Sequence, residues 1–336
     1  MSWKVLLTAI SYTEESLCKV TRSILEAAGC QVDLALGLGL DDRSAQTEGL
    51  AGFDAVVAGI ERYDAELFSR PELGGLKMIS RWGVGVDSVD LEAATRTGIL
   101  VANTPGLLDE AVADYAFGML LACARRIGYG AQSLCDGMWS PAWGPDVFGK
   151  TLGIVGLGRI GKGMARRALG FSMKVMAYDP FPPVDPSSLG VEMKSLEELM
   201  EESDFVSVHA SLTRETRGLI GWELLNRMKS ESMLINTARG PIVDEESLVA
   251  VLKDRRIGGA ALDAFTVEPL AADSPLRDLD NVLITPHQAS FGLQTGEAVS
   301  RAAAVGVVDA MQGRPPVHLV NPEAWSHADH SEGTGA

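Results

Sequence analysis

Histidine is scarce in this chain of 336 residues, with five in all, and cysteine is scarcer, with four. Cys18, Cys30, Cys123 and Cys135 show no C-x-x-C spacing, so the redox or metal pair that such spacing marks is excluded. Buried free thiols in a reducing setting are expected instead. Positive charge is also short: 29 Lys and Arg stand against 45 Asp and Glu, a net charge of −16. That balance excludes a nucleic-acid partner or an anionic membrane surface, because phosphates must be met by clustered Lys and Arg. No apolar run approaches the ~20 residues of a membrane span. The opening "MSWKVLLTAISYTEES" lacks a small-residue cleavage site and reads as a first strand rather than a secretory leader. A cytoplasmic protein follows from these absences. No tract is of low complexity, and a chain this long with 46% hydrophobic residues has the length for two globular domains.

What is present is a recurrence of short β-branched runs with helical stretches between them, the pattern of parallel sheets flanked by helices. A first set runs through "KVLLTAI" (4–10), "DAVVAGI" (54–60), "KMISRWG" (77–83) and "ILVANT" (99–104). A second starts afresh at "KTLGIVG" (150–156) and continues through 174–179, 205–210, 232–238, 259–265 and "NVLITPH" (281–287). The fold class is therefore α/β, with two Rossmann-like, doubly wound parallel-sheet domains and a cleft between them. Residues 107–134 have the apolar periodicity of one long buried helix, 292–313 read as another helix, and residues 324–336 read as a disordered tail. Between 135 and 150 lies a Gly/Pro-punctuated loop carrying Trp139 and Trp143, which either pack a dimer interface or line a pocket.

The strongest local signal is "GIVGLGRIG", with Gly156, Gly158 and Gly161 as G-x-G-x-x-G between a strand and a helix. The first glycine permits a tight turn, the second lets a pyrophosphate approach the backbone, and the third lets helix and strand pack closely. The next strand ends in Asp179, whose carboxylate can accept both ribose hydroxyls and would repel a 2′-phosphate. NAD is therefore the expected cofactor. Three later strands end in polar groups: "NTARG" with Arg239, "LDAFTVEP" with Asp263 and Glu268, and "TPHQAS" with His287. Each alone has a plain alternative: a surface arginine, a turn-shaping glutamate, a satisfied core histidine. Three together, after three successive strands of one nucleotide-binding fold, point to a site. Reducing a 2-keto acid places negative charge on the carbonyl oxygen, which calls for a proton donor that titrates near neutrality, and histidine is that residue. A neighbouring carboxylate would fix the ring's tautomer, and an arginine would hold the substrate in a forked geometry.

The motifs "RWGVGVDSVDLEAA", "VANTPG", "GIVGLGRIG", "INTARGPIVDEESL", "LDAFTVEP" and "LITPHQAS" occur in this order. In them the chain resembles the D-isomer-specific 2-hydroxyacid dehydrogenases, a family with phosphoglycerate, glycerate and formate dehydrogenase members, over nearly its whole length from Val5 to Asn321. The resemblance implies an NAD-dependent oxidoreductase that moves a hydride between nicotinamide and C2 of a small D-2-hydroxy acid. It implies His287 as general acid/base, Glu268 as its partner and Arg239 as substrate clamp. It further implies that Asp263 contacts the nicotinamide carboxamide, that Arg159 and Ile160 meet the pyrophosphate, and that Thr237 and His209 stand near the nicotinamide ribose. Backbone N–H groups of Val84 and Gly85 would bind the carboxylate of a small anionic substrate. The resemblance makes the first domain discontinuous: 1–103 with 290–323 as a flavodoxin-like substrate domain and 104–289 as the NAD domain. A homodimer is expected, and no metal.

The chain departs from the phosphoglycerate members in its loop "GMWSPAWGPDVFG", which has no basic residue, and in Glu61, where several relatives carry a basic one. Arg62 and Arg81 remain available for an anionic tail. No extra regulatory domain, and hence no feedback by serine, is expected. Two rival readings stay open: a dehydrogenase of a phosphorus-containing analogue (phosphite or a phosphonate-bearing hydroxy acid), and a non-catalytic NAD-sensing binding protein.

Overall fold

A computed structural model describes residues 2–38, 42–182 and 185–327. The chain divides into two compact units, one of residues up to Leu108 together with those from Phe291 onward, the other Asp109–Ser290.

In the first unit, strands β1 (Lys4–Leu7), β2 (Gln31–Leu34), β3 (Ala55–Ala58), β4 (Met78–Arg81) and β5 (Leu100–Ala102) form a parallel sheet in the order β2-β1-β3-β4-β5. The order reverses between β1 and β3, and ligands gather at the carboxyl ends of strands beside such a switch. All residues of β3 and β4 are buried, as interior strands of a sheet covered on both faces must be. Edge strand β2 was not anticipated, because in "QVDL" only Val32 is buried and no apolar run marks it. The helix Leu293–Met311 returns to this unit from beyond the second one. Its buried face (Gly296, Val299, Ser300, Ala303, Ala304, Val307, Ala310) follows helical spacing and packs on β4 and on the helix Glu15–Ala27. Gly296 lets the helix Glu15–Ala27 come close, since a Cβ would lie 2.7 Å from Leu17 Cδ1 and push that side chain aside.

In the second unit, β6 (Thr151–Val155), β7 (Lys174–Tyr178), β8 (Val191–Met193), β9 (Phe205–Val208), β10 (Met233–Asn236), β11 (Gly259–Leu262) and β12 (Val282–Ile284) form a parallel sheet. Its order is β12-β11-β10-β9-β6-β7-β8, the doubly wound nucleotide-binding arrangement, with its switch between β6 and β9. Edge strand β8 was also missed, its three residues offering one buried side chain.

Three expectations need correction. The single long helix at 107–134 is two, Asp109–Ala124 and Ile127–Cys135, broken where Arg126 takes φ 55°, a left-handed backbone that no helix can continue through. The expected disorder from 324 is wrong at its start: Pro322–His327 is helical with Ala324 fully buried, while residues 328–336 lie outside the described residues. The cysteines are free, but Cys135 is exposed rather than buried.

Asn321 shows how the last segment closes the first unit. Its Oδ1 accepts from Val101 N at 2.8 Å, and its Nδ2 donates to Ile99 O at 2.9 Å and Thr95 Oγ1 at 3.1 Å. Asn321→Ala would strand two buried backbone groups, Val101 N within β5 and Ile99 O just before it, a loss of about 2–4 kcal/mol. A urea transition followed through Trp3, Trp82 and Trp325, all in the first unit, should move to a lower midpoint, its extrapolated unfolding free energy falling by that amount. An unmoved midpoint would show that water replaces the side chain.

Candidate active site

The polar residues singled out in the second unit all follow strands at the carboxyl edge of its sheet. After β6, Gly156 takes φ +96°, and a Cβ there would stand 2.7 Å from Ala210 N, so only glycine fits the turn. A Cβ on Gly161 would stand 2.1 Å from Gly156 O, which is the close helix–strand packing expected of the third glycine. Gly158 differs, having nothing within 4 Å of its Cβ position. It is the N-cap of the helix Arg159–Gly170 and offers no side-chain cap to the first N–H groups of that helix, which begin at exposed Arg159 and half-buried Ile160. An anion is the natural occupant of such a position. Asp179, after β7, accepts from Leu157 N and Phe181 N, both at 2.8 Å. Each oxygen keeps a lone pair for a further donor.

After β9, His209 Nε2 is 2.8 Å from Ser207 Oγ, while its Nδ1 is buried with no hydrogen-bond partner among the described residues. Thr237 Oγ1, after β10, is likewise buried and unpartnered. Two orphaned polar atoms beside an open helix terminus and a ribose-type carboxylate fit a dinucleotide: Gly158, Arg159 and Ile160 would hold its pyrophosphate, Asp179 the adenosine ribose, and His209 and Thr237 the nicotinamide ribose. Burial pushes His209 down to about 4, so its ring is neutral at pH 7.

The loop after β12 is built around one carboxylate. Asp263, at the end of β11 and 1% exposed, accepts from Thr285 Oγ1 (2.6 Å) and Gln288 N (3.0 Å) on Oδ1 and from Ala289 N (2.8 Å) on Oδ2. Burial pushes its carboxyl up, and these donors, together with the charge of His287, oppose that rise. Between the clasped residues, His287 takes φ +49°, a strained backbone for a side chain with a Cβ. That conformation turns its Nδ1 to Glu268 Oε2 at 2.7 Å. Glu268 is itself fixed, its Oε1 accepting from Phe265 N at 2.9 Å. A carboxylate can only accept, so Nδ1 carries the donated proton and Nε2 is the atom left to exchange one.

Arg239 follows β10, its Nη1 donating to Ala238 O at 2.8 Å. Its loop is shaped by Asn236, whose Oδ1 accepts from Ala238 N and whose Nδ2 donates to Arg239 O. A Cβ on Gly240 would overlap Phe265 C at 1.9 Å, so only glycine lets the arginine loop lie against the loop of Glu268. Asn236, Gly240 and Thr285 were missed by sequence reasoning; the signal was present in the glycine after Arg239 and the small polar residues flanking the motifs. Val84 and Gly85 lie in the first unit, in a turn after β4. Gly83 N donates to Thr104 Oγ1 (3.1 Å), Gly83 O accepts from Thr104 N (3.0 Å), and Val84 O accepts from Asn103 Nδ2 (2.8 Å).

Residues 117–289 match the family model "D-isomer specific 2-hydroxyacid dehydrogenase, NAD binding domain". A glyoxylate reductase of Korarchaeum cryptofilum is 44% identical over 279 residues, covering 80% of this chain and 83% of that protein. The chain belongs to the D-isomer specific 2-hydroxyacid dehydrogenases. Among solved structures, the TT0316 protein of Thermus thermophilus superposes with a TM-score of 0.82 at 40% identity, covering 94% of this chain and 99% of that one. The NAD+-bound 3-phosphoglycerate dehydrogenase of Entamoeba histolytica gives 0.80 at 28% identity, over 96% and 99%. This protein is accordingly an NAD-dependent oxidoreductase of 2-hydroxy acids, and NAD, when bound, supplies or accepts the hydride at its nicotinamide ring.

Asp263→Asn keeps the size of the clasp but replaces an acceptor with a donor facing backbone N–H groups. Turnover should fall about 100-fold through misplacement of His287, and a stopped assay with saturating cofactor reads it directly; wild-type turnover would mean the loop holds itself. For His209, the unfolded chain binds a proton below its ordinary 6.5 while the folded chain does so only near 4. Its contribution is whole above pH 6.5 and lost as pH falls toward 4, roughly 3 kcal/mol at the acid end. The thermal midpoint of His209→Gln should therefore decline less steeply between pH 7 and 4 than that of wild type; parallel curves would refute the depressed titration.

Proposed function

We propose that the protein reduces a small 2-keto acid with NADH, glyoxylate first among them, and that it runs the reverse oxidation on the corresponding D-2-hydroxy acid. The observation that carries the chemistry is the His287–Glu268 contact of 2.7 Å, which leaves Nε2 as a proton-exchanging atom at the carboxyl edge of a nucleotide-binding sheet. The choice of glyoxylate is supported by the names of several curated relatives, glyoxylate reductases 40–44% identical to this chain.

In the reductive direction His287 starts protonated. As negative charge builds on the carbonyl oxygen, Nε2 delivers its proton there, and the imidazolium becomes a neutral ring still held through Nδ1 by Glu268. Arg239 holds the substrate carboxylate and carbonyl in a forked geometry, so that C2 is presented in a fixed orientation. In the first unit, backbone N–H groups of Val84 and Gly85 are the group suited to a carboxylate, which makes that unit the substrate domain and the second unit the cofactor domain. Asp263 reaches the carboxamide of the nicotinamide as well as clasping the His287 loop.

The protein acts as a homodimer in the cytoplasm. Support for the dimer comes from an apolar surface on one stretch of chain: Ile127, Leu134, Trp139 and Trp143 are exposed, the last at 99%, and a monomer in water gains nothing from leaving two tryptophans bare. No helix among the described residues is long and apolar enough to cross a membrane.

The test is oxidation of NADH, with NADPH in parallel, against glyoxylate, hydroxypyruvate, pyruvate, branched and aromatic keto acids, phosphohydroxypyruvate and phosphonopyruvate. His287→Ala should lose roughly 10² to 10⁴ in turnover with NADH binding, read by fluorescence, unchanged. Arg239→Lys should raise KM and lower kcat together, because a point charge cannot replace the fork. Full activity in His287→Ala, or silence of the wild type across the panel, would overturn the reading.

A further inference from the structure

Among the described residues three charged side chains are nearly closed to solvent: Asp263, and, in the first unit, Glu61 and Arg81 at 2% and 5% exposure. Burying a charge is costly and adds little to stability compared with apolar packing, so two buried groups of opposite charge near one strand end call for a use. Both lie at the carboxyl edge of the first sheet, beside its switch point. Arg81 ends β4 in register with Ala58, the end of β3, and Glu61 follows β3 by three residues. Arg81 Nη1 donates to Ala58 O and to Trp82 O, both at 3.2 Å, and so ties the end of β3 to the peptide that begins the turn Trp82–Gly85. Its guanidinium underlies that turn: a Cβ on Gly83 would sit 3.8 Å from Nη1. Glu61 lies over Gly59, whose Cβ position is 2.9 Å from Oε1, next to the carbonyl that Arg81 holds. Burial pushes the Glu61 carboxyl up and the charge of Arg81 draws it back. The other arginine at this edge, Arg62, is a surface residue bound to Asp64 at 3.1 Å.

We propose that Arg81, with Glu61 as its buried counter-charge, is a positioning residue for the substrate carboxylate: from beneath, it fixes the Trp82–Gly85 turn and lends it positive potential, without touching the substrate. The proposal rests on the 2-keto acid reading above, in which Val84 and Gly85 receive that carboxylate. A residue that only holds the fold together can be replaced, with its partner, by neutral side chains of similar size. A residue that serves the carboxylate cannot.

The test is steady-state kinetics of the full-length enzyme with glyoxylate, together with competitive inhibition by oxamate, which reports anion binding apart from chemistry. In the double variant Arg81→Met/Glu61→Gln, KM for glyoxylate and Ki for oxamate should both rise about tenfold or more, the loss of one charge-assisted contribution. Turnover at saturation and NADH affinity by fluorescence should stay near wild type. Arg81→Lys with Glu61 intact guards against a double variant that fails to fold: lysine keeps the charge but cannot bridge both carbonyls, and KM should rise several-fold at an unchanged midpoint. KM and Ki within twofold of wild type in either folded variant, or a loss confined to kcat, overturns the proposal. A wild type that reduces no 2-keto acid at all overturns the reading on which it rests and takes the proposal with it, an outcome visible before any variant is made.

Discussion

The loop that carries His287 depends on a single buried carboxylate. Asp263 would gain nothing from its own burial, since desolvation disfavours the charge it carries. What offsets the penalty is the set of donors it gathers from Thr285, Gln288 and Ala289. Those bonds hold His287 in a left-handed backbone that a free loop would abandon. The side chain is thereby aimed at Glu268, and Glu268 is in turn anchored by the backbone of its own loop. Strain in one residue is thus maintained by polar bonds made by its neighbours, and the His287 ring is fixed, with Nδ1 committed to Glu268, before any ligand arrives.

The same economy of means recurs at each strand end. Glycines with no room for a Cβ bring backbones together, Gly161 against Gly156 and Gly240 against Phe265. Gly158 has room and no side chain, and the space above it is what a pyrophosphate would need. In the first unit the corresponding work falls to a turn fastened by Thr104 and Asn103 from the next strand's end.

Much of this was legible in the sequence, for reasons that differ by element. Interior strands such as "AVVA" and "FVSV" are buried on both faces and announce themselves as apolar runs. Edge strands β2 and β8 bury one residue each and leave almost no periodic trace. The break at Arg126 was hidden because apolar periodicity continues on either side of it, and an arginine in a left-handed conformation has no compositional mark. His287, Glu268 and Arg239 could be read because their residue types fit the chemistry after successive strands. The clasp by Asp263 could not, since its three donors are spread over the loop and two of them are backbone.

The return of the chain to its first unit orders events in time. Residues Asp109–Ser290 are contiguous, and a ribosome that has released Ser290 has released everything the second unit contains. The first unit begins earlier and finishes later, since its sheet stays without the covering helix Leu293–Met311 and without Asn321 beside β5 until the whole second unit has emerged. During synthesis the early strands therefore wait with a bare apolar face while the intervening unit is made, a window in which a chaperone or a premature partner would find them exposed.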